Sequence, residues 1–173
     1  MLIRRLFLLQ GALALGVAVA PVPSMGGGIL APPQSPAILT VTGAIANTNA
    51  PGRADFDIVN LEHLGLTRLI TWTPWTEGEV EFEGVLARRL MEAVGATGTE
   101  ISATALNGYA HTIPIGDFHS YDVLLAFRMN GTLMRVRDKG PIWIVYPWSD
   151  HPELDDFVTR EKSIWQLIAL DVR

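Results

Sequence analysis

Not one of the 173 residues is a cysteine. A disulfide staple and a thiolate metal ligand are both closed to this chain. Its fold must therefore be held by packing and hydrogen bonding, and at this length a single domain can bury a core large enough for that. The constraint is sharper because the N-terminus reads as an export signal, the setting in which disulfides are normally used. Arg4-Arg5 precedes an apolar run from Leu6 to Ala20 that ends in the small-x-small pattern Ala18-Val19-Ala20, the order of a bacterial secretory signal. The run is about fifteen residues long, short of the ~20 that span a bilayer.

We therefore read 1–24 as a signal peptide cleaved near Ser24-Met25 and expect a periplasmic protein. Arg4-Arg5-Leu6-Phe7-Leu8 also resembles a twin-arginine signal, and the general and twin-arginine routes both stay open. Residues 25–37, with Gly26-Gly27-Gly28, Pro32, Pro33 and Pro36, read as a flexible leader. Loss of the two arginines takes the formal charge from −5 to −7. A modestly acidic domain without a basic patch excludes nucleic acid as the expected partner.

From Ile38 onward no stretch has linker composition, so 38–173 is one domain. Ile38–Gly43, Thr67–Trp72, Glu79–Glu83, Glu100–Ala105, Asp122–Arg128, Pro141–Tyr146 and Ile164–Val172 read as strands from β-branched content or alternation. Asp57–Leu64 reads as a short helix. Val85–Val94 reads as a second, with Ala87, Leu90, Met91 and Val94 on one face and Gly95 as its stop. Asn130-Gly131 after an apolar strand is a hairpin signal, because both residues tolerate positive φ. The composite is an α+β domain, mixed and mostly β-sheet, with few short helices.

The familiar catalytic patterns are missing: no G-x-S-x-G, no H-E-x-x-H and no phosphate-loop glycines. His63, His111, His119 and His151 fit no ligand spacing and read as loop or surface histidines. Glu77, Glu79, Glu81 and Glu83 alternate and read as a solvated strand face. What stands out is polar and aromatic residues gathered in loops. Thr71-Trp72-Thr73-Pro74-Trp75-Thr76 and Asn107-Gly108-Tyr109 follow strands. Arg128-Met129-Asn130-Gly131 leads to Arg137-Asp138-Lys139-Gly140-Pro141 and then Trp143, Tyr146 and Trp148. Aromatic planes suit a flat heterocycle, and a carboxylate suits its N–H edge. Trp143 can equally be core, while Trp148 and Trp165 read as core cover.

Three ordered segments carry a resemblance. The first is Trp75-x-x-x-x-x-Glu81-Phe82-x-Gly84-Val85-Leu86 with Leu90-Met91-x-x-Val94-Gly95. The second is Ala105-Leu106-Asn107-Gly108-Tyr109. The third is Leu124-Leu125-Ala126-Phe127-Arg128-Met129-Asn130-Gly131 with Gly140-Pro141-Ile142-Trp143. Together they resemble the sulfite-oxidase-type molybdopterin-binding domain of oxidoreductases. The resemblance implies that family's fold and a pterin-shaped pocket. It also implies two losses. The family's metal-binding cysteine belongs to the loop that reads Thr71-Trp72-Thr73-Pro74-Trp75 here, and the arginine of its "G-P-x-R" segment is Trp143 here. A molybdenum centre is therefore not expected, and the expected ligand is a reduced or molybdopterin-like pterin.

Short, cysteine-free, exported forms resemble periplasmic pterin-binding proteins that dock on the periplasmic part of a membrane enzyme that makes or degrades cyclic di-GMP. Carried over, Trp75, Arg128, Asp138 and Lys139 are the expected pocket residues, joined by Thr73, Asn107, Tyr109 and Trp143. No residue is assigned as catalytic or as a metal ligand. The rival readings are a small molybdopterin-dependent oxidoreductase with a non-cysteine metal ligand, and a structural or carrier role with an empty pocket.

Overall fold

The computed structural model describes residues 30–173, so the segment read as a signal peptide and the first part of the expected leader lie outside the described residues. Two five-stranded sheets and four short helices make up the domain, an α+β architecture dominated by sheet. The first sheet runs β2-β1-β10-β5-β6. It comprises β1 (Leu39–Gly43), β2 (Arg53–Phe56), β5 (Glu100–Ala105), β6 (Ala110–Pro114) and β10 (Leu167–Val172). β10 lies at its centre, parallel to β1 and antiparallel to β5. The second sheet runs β3 (Leu66–Trp72), β4 (Glu79–Leu86), β7 (Leu124–Met129) and β8 (Thr132–Leu133), with β9 (Trp143–Val145) also paired to β7.

Strand patterning accounts for the core. Leu39 and Val41 of β1, Ile101, Ala103 and Ala105 of β5, and Leu167, Leu170 and Val172 of β10 face inward. Leu124–Phe127 of β7 are buried on both faces, as an inner strand requires. Helix α2 (Ala87–Val94) buries Ala87, Leu90, Met91 and Val94, the face read from its periodicity. Each of its larger apolar side chains contributes about 1.5–3 kcal/mol by burial. Gly95 ends it in the left-handed region, φ 61°. The expected hairpin is β7–β8, with Asn130 at φ 50° and Gly131 at φ 73°.

Several boundaries differ from the sequence reading. Val85 and Leu86 stay in β4, because they pair with β7 beyond a bulge at Glu83/Gly84; the helix begins only at Ala87. The expected strand from Ile164 starts at Leu167, because Gln166 takes φ 54° and the chain crosses between sheets there. β9 is trimmed to Trp143–Val145 by the flanking prolines. Short polar elements were not foreseen: β2, β6, α3 (Ile115–Ser120) and α4 (Phe157–Lys162). The helix α1 covers Ile58–His63 and is capped by Asp57. From Leu30 onward the segment read as flexible is tied down: Asp57 accepts from the Gln34 and Ser35 amides at 2.8 and 2.9 Å.

Candidate functional site

The loops singled out by their composition do converge, and the backbone explains how. Residues 163–167 link the two sheets. The Ile144 amide donates to the Ile164 carbonyl and the Leu167 amide to the Ile142 carbonyl, each at 2.9 Å. On one side of this link the Leu106 amide donates to the Gln166 carbonyl at 2.9 Å. On the other, the Gln166 amide donates to the Lys139 carbonyl at 3.0 Å, and its side-chain amide donates to the Val136 carbonyl at 2.8 Å. The β5–β6 turn and the loop after β8 are thus fastened to the same short segment.

Four indoles meet there. Trp75 lies 5.2 Å from Trp165 at 81°, 6.0 Å from Trp143 at 63° and 6.1 Å from Trp148 at 75°. These edge-to-face arrangements are the favourable ones for aromatic pairs. Trp143 is fully buried, packs on Phe82, and donates its N–H to the Ser163 hydroxyl at 3.1 Å, which donates to the Ile144 carbonyl at 2.6 Å. Trp148 is buried and donates to the Leu154 carbonyl. The Lys139 ammonium lies 5.4 Å over the Trp143 ring and 5.1 Å over that of Trp165.

Two cavities open on either side of Trp75. The larger, about 350 Å³, is lined by Trp75, Trp165, Ile164, Tyr109, Glu161 and Arg160, among others. The smaller, about 200 Å³, is lined by Trp75, Met129, Arg137, Asp138, Lys139 and Trp143 with Thr76. Only the larger reaches the ~300–1,000 Å³ typical of small-molecule sites. Its electrostatics centre on Glu161. The Tyr109 hydroxyl donates to the Glu161 carboxylate at 3.2 Å. Desolvation first, and then this carboxylate, push the Tyr109 phenol above its ordinary range.

The residues expected from the sequence therefore fall into three groups. Trp75, Asn107 and Tyr109 line the larger cavity, while Trp75, Asp138, Lys139 and Trp143 line the smaller. Arg128 and Thr73 line neither. Arg128 donates to Glu62 of α1 at 2.6 Å and stands over the Phe127 ring. Thr73 is buried in a local turn: its hydroxyl accepts from the Trp75 amide at 3.2 Å and bonds the Thr76 hydroxyl at 3.1 Å. Thr71 is equally engaged, accepting from the Ser149 amide at 2.9 Å and donating to the Trp72 carbonyl at 3.0 Å.

Several wall residues of the larger cavity escaped the sequence reading, among them Arg160, Glu161, Ile164 and Trp165. Trp165 was read as core cover. Glu161 and Ile164 carry no motif, and they come here through α4, which packs against β6, and the crossing that follows it. Among the described residues, no three of His, Cys, Asp or Glu gather closely enough to hold a metal ion.

Comparison with known proteins gives a match to the oxidoreductase molybdopterin binding domain over residues 52–149, which takes in the aromatic loop, β4, α2, β7 and the loop before β9. No curated protein matches the chain significantly.

Proposed function

The chain belongs to the oxidoreductase molybdopterin-binding domain family, and from that premise we propose that it binds a pterin without molybdenum and serves as an exported ligand sensor. The observation that carries this reading is the contrast between the two halves of the expected site. The half that would hold a metal does not fit one. Both threonines of the loop where the family has its cysteine have their hydroxyls committed to hydrogen bonds within the protein, Thr71 with Trp72 and Ser149 and Thr73 with Trp75 and Thr76. A neutral, already bonded hydroxyl is a poor replacement for a soft anionic sulfur. For the ring, this reading takes the larger cavity, about 350 Å³, where Trp75, Asn107 and Tyr109 of the expected residues stand with Trp165, whose indole is nearly perpendicular to that of Trp75. A flat heterocycle can stack on one indole and meet the edge of the other.

In this reading the protein acts in the periplasm, and the loaded domain reports to the periplasmic part of a membrane enzyme that makes or degrades cyclic di-GMP. The helix α4 favours such a role. It brings Arg160 and Glu161 to the cavity wall and turns Phe157, 74% exposed, and Val158 outward. Ligand and partner would then share one short helix.

Anaerobic titration of a 6-substituted tetrahydropterin, followed by indole fluorescence, tests the binding. A saturable change is expected in the wild type. Trp75→Ala should bind about tenfold or more weakly, since a stacked aromatic is worth ~0.5–1.5 kcal/mol beyond its buried area. No saturable change in the wild type would remove the proposal.

A further inference from the structure

We propose that Glu161 reads the hydrogen-bonding edge of the ligand, and that the edge it selects carries two adjacent N–H donors, as the 2-amino-4-oxo-pyrimidine half of a pterin does. The inference rests on the pterin reading of the larger cavity and adds to it a specificity residue and a rule of discrimination.

Two carboxylates stand near the indole cluster, and their surroundings differ. Asp138 is in the smaller cavity, half-buried like Glu161, but its Oδ2 is already taken by Arg135 at 2.6 Å, with Arg137 at 3.8 Å. Glu161 lies in the wall of the larger cavity, half-buried, in the last turn of α4. It sits between two cations in sequence, and each is paired with another carboxylate, Arg160 from its place in the same cavity wall. Arg160 bonds Asp155 at 2.5 Å, and Lys162 bonds Asp117 at 2.9 Å. Among the described residues, Tyr109 alone bonds the Glu161 carboxylate, through one oxygen and with a neutral donor. A half-buried anion without a cationic partner, facing a cavity, has acceptor capacity left for a ligand.

The position is also fixed. Asp156 caps α4 by accepting from the Thr159 amide at 2.9 Å. Asp117 holds Lys162 while accepting from the buried Tyr146 hydroxyl at 2.9 Å. A carboxylate so held can accept two parallel N–H bonds from one flat edge, the geometry that makes charge-assisted pairs selective. Replacing the 2-amino group by a 2-oxo group turns one of those donors into an acceptor and sets it against the anion. A site built on a carboxylate therefore accepts a pterin and rejects the matching lumazine.

The test compares 6-methylpterin with 6-methyllumazine, each in oxidised and tetrahydro form, by calorimetric titration of the purified wild type, Glu161→Gln and Asp138→Asn, with thermal melts alongside. The wild type should prefer the pterin at least tenfold. Glu161→Gln should melt normally, bind the pterin roughly 10- to 100-fold more weakly, and lose most of the preference, because an amide offers one acceptor and one donor, which suits the lumazine edge and sets a donor against one pterin N–H. Asp138→Asn should keep it. If Glu161→Gln retains both affinity and preference, or Asp138→Asn is the variant that loses them, Glu161 is not the reader although pterin binding stands. If the wild type binds neither ring, the pterin reading falls with it.

Discussion

Asp57 shows how much one residue can carry. It is fully buried, caps α1 through the Asn60 amide at 2.8 Å, and holds the incoming segment through Gln34 and Ser35. Burial alone would raise its carboxyl pKa. The hydrogen bonds to the charged form from Asn60, Ser35 and Gln34 outweigh that and hold it below the ordinary value. Since the folded pKa is the lower one, the stabilisation is complete above the unfolded value near 3.9 and is lost as pH falls through the depressed folded value. Asp57→Ala should cost about 2–3 kcal/mol, from the lost cap and the donors left unpaired. Asp57→Asn should keep the cap, and its melting temperature should fall less steeply below pH 4 than that of the wild type. Parallel slopes in that acid range would show that the carboxylate is not what the segment depends on.

The elements show which local features were readable from the chain. The α2 face and its Gly95 stop, the Asn130-Gly131 hairpin and the β5 boundaries were all plain, because periodicity and turn chemistry are local. The short strand β2 and the helices α3 and α4 were not, since six residues or fewer of mixed polarity take their conformation from what they pack against. The same limit applies to the site. The aromatic loops were visible, but Glu161 and Trp165 reach the cavity only through the crossing at 163–167, which no local pattern encodes.

Gly84 is an element-scale case where a family motif acquires a physical reason. A Cβ there would meet the Leu125 carbonyl oxygen at 2.1 Å and the Ala126 Cα at 2.7 Å, at the bulge joining β4 to β7. Gly116, inside α3, has nothing within 4 Å. Gly84→Ala should therefore destabilise by about 1–3 kcal/mol or more, while Gly116→Ala should stabilise by roughly 0.5–1 kcal/mol. Urea unfolding midpoints decide both signs.

At the scale of the whole molecule, the domain has the family's frame, and the proposed function has the chemistry of its aromatic loop changed. Two sheets joined by residues 163–167 bring the loops together without any disulfide, and the hydroxyls of Thr71 and Thr73 bond Trp72, Ser149, Trp75 and Thr76. The aromatic corner and the Glu161 carboxylate are what the proposed binding uses. The proposed function is that the ring is held without the metal. Its most direct test is the content of the native protein, purified from a host that makes molybdenum cofactor. Elemental analysis for molybdenum and fluorescence of the oxidised pterin should be read on the same sample. The expected result is a pterin near one per chain with molybdenum far below that. Molybdenum at one atom per chain would contradict it and favour an oxidoreductase that holds its metal through a ligand other than cysteine.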